Sequence, residues 1–189
     1  TPAVRERPAH LMAVIYNSNN RPEIGSRMAE HLIPIHSSLD LATASHITDE
    51  ALRLRQAHGL LPLAIAVLDA GGNTVSFRRE DGCGVLRQDI AVGKAWGALG
   101  MGMGTRQIRD RLANRPTFQA ALSGASDGRF IPTPGGVLIL NAQGMAIGAV
   151  GISGDASDKD EFCAIEAIKT VGLMPEPPEA ASDWNGGAL

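Results

Sequence analysis

Two stretches built to one plan constrain this chain most. Residues 63–77 (LAIAVLDAGGNTVSF) and 136–153 (GVLILNAQGMAIGAVGIS) each run apolar, break over polar residues and glycine, and run apolar again. An antiparallel hairpin buried on at least one face is written this way, because the break needs residues that accept left-handed backbone. Any chemistry must hang from the segments beside and between these hairpins.

At 189 residues and 44% hydrophobic, the chain can close one well-buried core, so a single domain with tails is expected. The formal charge of −3, with no basic cluster, argues against a nucleic-acid or anionic-membrane partner. No apolar run approaches the roughly 18 residues of a membrane helix, and the first residues lack a secretory segment. A cytoplasmic protein is the expectation. Cys83 and Cys163 stand alone, without a CxxC or a second ligand cluster, and read as free thiols rather than a disulfide or zinc site.

Residues 1–37 mix Pro, Asn and Arg around weakly apolar patches and read as an N-terminal arm. A domain over 38–173 follows. Ser38 is placed to cap a helix whose inward stripe is Leu39, Ala42, His46, Ile47, Ala51 and Leu54, with Gly59 at its end. Strands are predicted at 63–69 and 74–79, then a helix over 86–99, short helices at 105–113 and 116–122, the second hairpin at 137–152, and a helix over 157–171. Residues 174–189, rich in Pro and Glu, read as an unstructured C-terminal tail. The order helix, hairpin, helices, hairpin, helix suits an α+β domain with an antiparallel sheet covered by helices.

Several of these segments carry a family likeness. Val67-Leu-Asp-Ala-Gly-Gly-Asn73, Asp89-Ile-Ala-Val-Gly-Lys-Ala95, Thr105, Pro134-Gly-Gly-Val137, Gly148-Ala-Val-Gly-Ile-Ser-Gly154 and Asp160-Glu161 resemble the family of the haem-binding protein HbpS and the glycolate-operon protein GlcG. The likeness covers about residues 38–172. It implies a profilin-like α/β fold, assembly into homo-oligomers from dimers to octamers, and links to haem or corrinoid binding, haem degradation, or hydroxy-acid and aromatic catabolism. Such a scaffold constrains fold more than function. Where the family reads Gly-Arg-Pro-Thr, this chain has Gly102-Met-Gly-Thr105, keeping the threonine only.

The residues themselves offer candidate sites. Arg129-Phe130-Ile-Pro-Thr-Pro-Gly135-Gly136 is the segment best suited to line a pocket: prolines stiffen it and Gly135 and Gly136 allow close backbone approach. Phe130 offers a face to a planar ring, and Arg129 a bidentate grip on a carboxylate. Thr105 opens a helix where its hydroxyl and N–H can meet an anion. Lys94 falls on the stripe of Ile90 and Ala91, either snorkelling or pairing with a ligand carboxylate. Asp160 and Glu161 lie in a first helical turn, where they complement the helix dipole or, if buried, act as a general base. No HxxH or HExxH pair exists, so a metal cage is not expected, but His46 alone would suffice as an axial haem ligand.

Two readings stand open. One is an oligomeric small-molecule-binding protein holding haem or a similar planar carboxylated ligand, with degradative activity a further option. The other is a catabolic enzyme for an aromatic or oxo- or hydroxy-acid, with Glu161 or Asp160 moving a proton and Lys94 and Arg129 holding anionic oxygens.

Overall fold

A computed structural model describes residues 35–187; the rest of the N-terminal arm, with His31, lies outside the described residues. Five strands form one antiparallel sheet in the order β2-β1-β4-β3-β5: β1 (Ala64–Asp69), β2 (Thr74–Arg79), β3 (Gly136–Leu140), β4 (Ala146–Ser153) and β5 (Met174–Glu176). The helices are α1 (Leu41–Ala57), α2 (Leu86–Met101), α3 (Thr105–Leu112), α4 (Pro116–Ala125) and α5 (Ser157–Thr170). This is the expected α+β architecture.

Both hairpins turn on the same device. Asp69 Oδ1 accepts the N–H groups of Gly71 and Asn73, each at 2.9 Å, and Gly72 follows at φ +80°. Asn141 Oδ1 likewise accepts from Gln143 at 3.0 Å and Met145 at 2.9 Å, with Gly144 at φ +73°. A short carbonyl side chain that mimics a backbone turn, followed by a glycine, is what such a reversal needs.

Strand alternation divides the core. On one face Ile65, Val67, Val137, Ile139, Val150 and Ile152 pack with α1 and α5. On the other, Ala64, Ala66, Leu68, Leu138 and Ala149 meet Ala91, Ala95 and Ala98 of α2. Alanine on both sides brings that helix very close. A Cβ at Gly151 would fall on the Ala91 carbonyl, and one at Gly136 on the Lys94 carbonyl, so both positions must be bare.

The structure corrects three expectations. Helix α1 is capped by Asp40, whose Oδ1 accepts from Thr43 N at 2.8 Å, while the Ser38 hydroxyl instead accepts from Ala70 N. Its buried face is Ala44, Ile47, Thr48, Ala51 and Leu54, so His46 is exposed rather than inward. Thr48 is the reason for the changed phase: its hydroxyl pairs with Ser76 on β2 at 3.2 Å, so a polar residue goes inside.

The third correction is the tail. β5 pairs with β3, Gln107 Nε2 donates to Glu176 Oε1, and Arg106 Nη2 donates to the Glu179 carbonyl at 2.6 Å. Trp184 stacks on Phe162 at 3.7 Å, with His58 edge-on to both rings. The open edge of β3 and the exposed side of Phe162 hold residues that composition alone marks as loose.

Candidate functional site

Helix α2 runs across the sheet and separates two groups of chemically active residues. Beneath it, at the start of α5, lies a buried charge cluster. Lys94 is 2% exposed and Asp160 is 0% exposed; Lys94 Nζ meets Asp160 Oδ2 at 2.9 Å and donates to the Ile152 carbonyl at 2.8 Å. The other carboxylate oxygen, Asp160 Oδ1, accepts from Asp155 N at 3.1 Å. Gly135 makes this possible at φ +115°, since a Cβ there would press on Lys94 Nζ and on the Ile152 carbonyl. Burial pushes the Asp160 carboxyl up to about 6 and draws the Lys94 ammonium down, each charge opposing the other's shift.

Glu161, one residue on, is also 0% exposed. Its Oε2 lies 2.8 Å from Arg106 Nε, but off the line of a hydrogen bond, and neither oxygen has an aligned donor among the described residues. Burial therefore dominates and lifts this carboxyl to about 7, against the pull of Arg106. Thr105 closes the cluster: its Oγ1 accepts from Gly136 N at 2.8 Å and donates to Gly136 O at 3.2 Å. The structure thus joins Lys94, Thr105, Gly135, Gly136, Asp160 and Glu161, and adds Arg106.

Arg129 and Phe130 stand apart, on the outer side of α2. There Gly93 and Gly97 make a bare track along which the 129–131 segment lies: a Cβ at Gly93 would run into Ile131 and the Arg129 carbonyl, and one at Gly97 would touch Phe130. Two recesses flank that segment. One is a cleft of about 500 Å³ lined by Leu86, Ile90, Val92, Ile131, Arg129 and the acidic Asp89 and Asp127, among others. The other is a pocket of about 140 Å³ between α2 and α4, walled by Trp96, Met101, Leu122 and Phe130. The Arg129 guanidinium lies over the Trp96 ring, 4.4 Å from its centroid, and its Nε donates to the Ser126 carbonyl at 3.1 Å. Trp96 and Arg106 were not singled out by the sequence; the i, i+4 spacing of Gly93 and Gly97 was the signal that something packs on that face.

His46 joins neither group. It sits on the exposed side of α1, which packs on the sheet face opposite α2. Cys83 and Cys163 are free and buried, and burial pushes the Cys163 thiol up to about 12. Among the described residues there is no cluster of His, Cys, Asp or Glu able to hold a metal ion, and no helix is long and apolar enough to cross a membrane.

The family model of haem-degrading, HbpS-like proteins matches residues 39–169. The chain belongs to this family. It is 31% identical over 133 residues to an uncharacterised 15.0 kDa protein of Citrobacter freundii encoded between dhaT and dhaS, covering 70% of this chain and 91% of that one. The solved PduOC–haem complex shares the fold at a TM-score of 0.65 and 24% identity, over 71% of this chain and 96% of the other. The solved structure of HbpS superposes at a TM-score of 0.61 and 26% identity, over 75% of this chain and 94% of the other. Membership places every expected motif in one family domain, from Val67 to Glu161.

Proposed function

We propose that this protein binds haem, or a similar planar ring bearing carboxylates, in the cleft on the outer face of α2. One observation carries the reading: a recess of about 500 Å³ whose walls include Leu86, Ile90, Val92 and Ile131, with Arg129 among its lining residues. Ligand clefts of about 300–1,000 Å³ are mostly apolar with a few placed polar groups, and a fork of N–H donors suits a propionate. The family's haem-degrading description and the haem held by the same fold in PduOC support the choice of ring.

The residues fit the macrocycle and its acids better than the iron. No histidine, cysteine or methionine lines the cleft, so this recess supplies no imidazole, thiolate or thioether. Binding then rests on apolar contact and charge. Titrations with haem and with iron-free protoporphyrin test this: comparable saturable affinities are expected, and a protein that takes up haem but ignores the free porphyrin refutes the reading.

Val85 and Leu86, 84% and 64% exposed at the mouth of the cleft, leave apolar surface for a second copy to cover, which supports a homo-oligomer between dimer and octamer. The free thiols support a reducing, cytoplasmic setting.

One observation favours an enzyme instead. Glu161 is a buried carboxylate without an aligned donor, held near neutrality beside Arg106, as a general base for a carboxylated substrate would be. Turnover of such an acid, lost in Glu161→Gln, would establish it; turnover untouched by that change would remove it.

A further inference from the structure

We propose that the pocket between α2 and α4 is a second binding site, for a monocyclic aromatic carboxylate, with Trp96, Met101, Leu122 and Phe130 around the ring and Arg129 meeting the carboxylate. Its lining residues differ from those of the larger cleft, and Arg129, which lines that cleft and lies over Trp96, is the one residue common to both readings.

Size sets the ligand class. The pocket holds about 140 Å³, and an apolar cavity of about 150 Å³ takes up benzene. Haem is several times too large. The walls set the chemistry next: indole, phenyl and thioether groups favour an aromatic ring through offset, edge and sulfur contacts. Ser126, the polar side chain of the lining, is already engaged, with Oγ donating to the Ser123 carbonyl at 3.0 Å and accepting from Phe130 N at 3.0 Å. The inner end of a guest must therefore be bare of polar groups.

A cation marks the other end. Arg129 uses Nε on the Ser126 carbonyl and rests its plane on Trp96, while its terminal nitrogens meet no carboxylate among the described residues. Trp96 lies against the β1–β2 turn, where a Cβ at Gly72 would come within 3.2 Å of its indole. An indole with a guanidinium on its face and an apolar recess beside it suits a ring that ends in a carboxylate, and fits an uncharged ring less well.

The chain has two tryptophans, so Trp184→Phe, which keeps an aromatic stack on Phe162, leaves Trp96 as sole reporter. Benzoate titrated into the full-length Trp184→Phe protein should quench that fluorescence saturably. Benzyl alcohol should bind at least tenfold more weakly, having no charge for Arg129. Ala125→Leu, on an exposed lining residue, should fill the pocket and weaken benzoate at least tenfold, and Leu122→Phe, one turn earlier on α4, should do the same. Quenching that stays linear in benzoate, or that persists unchanged in both filled variants, overturns the site. A haem titration of Ala125→Leu should be unchanged, so a failed pocket is distinguishable from a failed cleft.

Discussion

Lys94 and Asp160, 66 residues apart in the chain, meet at 2.9 Å with almost no exposed surface between them. The pair ties the middle of α2 to the first turn of α5 around the end of β4. Removing one partner leaves an uncompensated buried charge, a loss of about 3–5 kcal/mol. Lys94→Ala should show this in urea unfolding. Replacing both residues with apolar side chains should recover much of it, because the desolvation penalty of the pair also disappears.

The two adjacent acids make stability depend on pH in an unusual direction. Glu161 and Asp160 sit at about 7 and about 6, above the ordinary 4.5 and 3.8. Between those values the folded state holds more protons than the unfolded one, so stability falls as pH rises from about 4 to about 7. Glu161 alone accounts for ~3 kcal/mol across the window. Glu161→Gln should remove about half of the slope, the rest belonging to Asp160, read as unfolding midpoints from pH 4 to 8.

Close packing of α2 on the sheet rests on bare backbone. Gly151→Ala places a methyl against the Ala91 carbonyl, where backbone rather than a flexible side chain would have to yield. Overpacking typically costs about 1–3 kcal/mol, and this site should reach the upper end. Gly144→Ala, with open space at the turn but φ +73°, should cost less. Thermal unfolding of the two variants ranks them.

Beyond β5, the C-terminal segment is held to the fold by the Trp184 stack and by Arg106 on the Glu179 carbonyl. Trp184→Ala removes the ring held 3.7 Å from Phe162 and should cost about 1–2 kcal/mol. Proteolysis near residues 178–187 should speed up in that variant while the sheet stays protected.

Local signals were legible where one residue type can do one job. The paired hairpins, Gly59 as a left-handed helix end at φ +62°, and the antiparallel sheet follow from alternation and turn chemistry. Long-range satisfaction was not legible. Nothing near His46 says that Thr48 turns inward, because its partner Ser76 lies 28 residues on. Nothing near Pro175 says that β3 has an open edge. Lys94, read as either snorkelling or ligand-facing, is instead buried against Asp160, and Gly135 and Gly136 make room for that lysine and its helix. The loop of Arg129 and Phe130 does flank two recesses, but Trp96, which organises both Arg129 and the smaller pocket, carried no motif.

The most direct measurement is a haem titration, followed by Soret absorbance, of the unchanged protein beside Arg129→Ala and His46→Ala. A saturable shift, weakened at least tenfold in Arg129→Ala and unaltered in His46→Ala, is the expected result. A shift abolished by His46→Ala and indifferent to Arg129→Ala would move the haem to α1 and contradict the account.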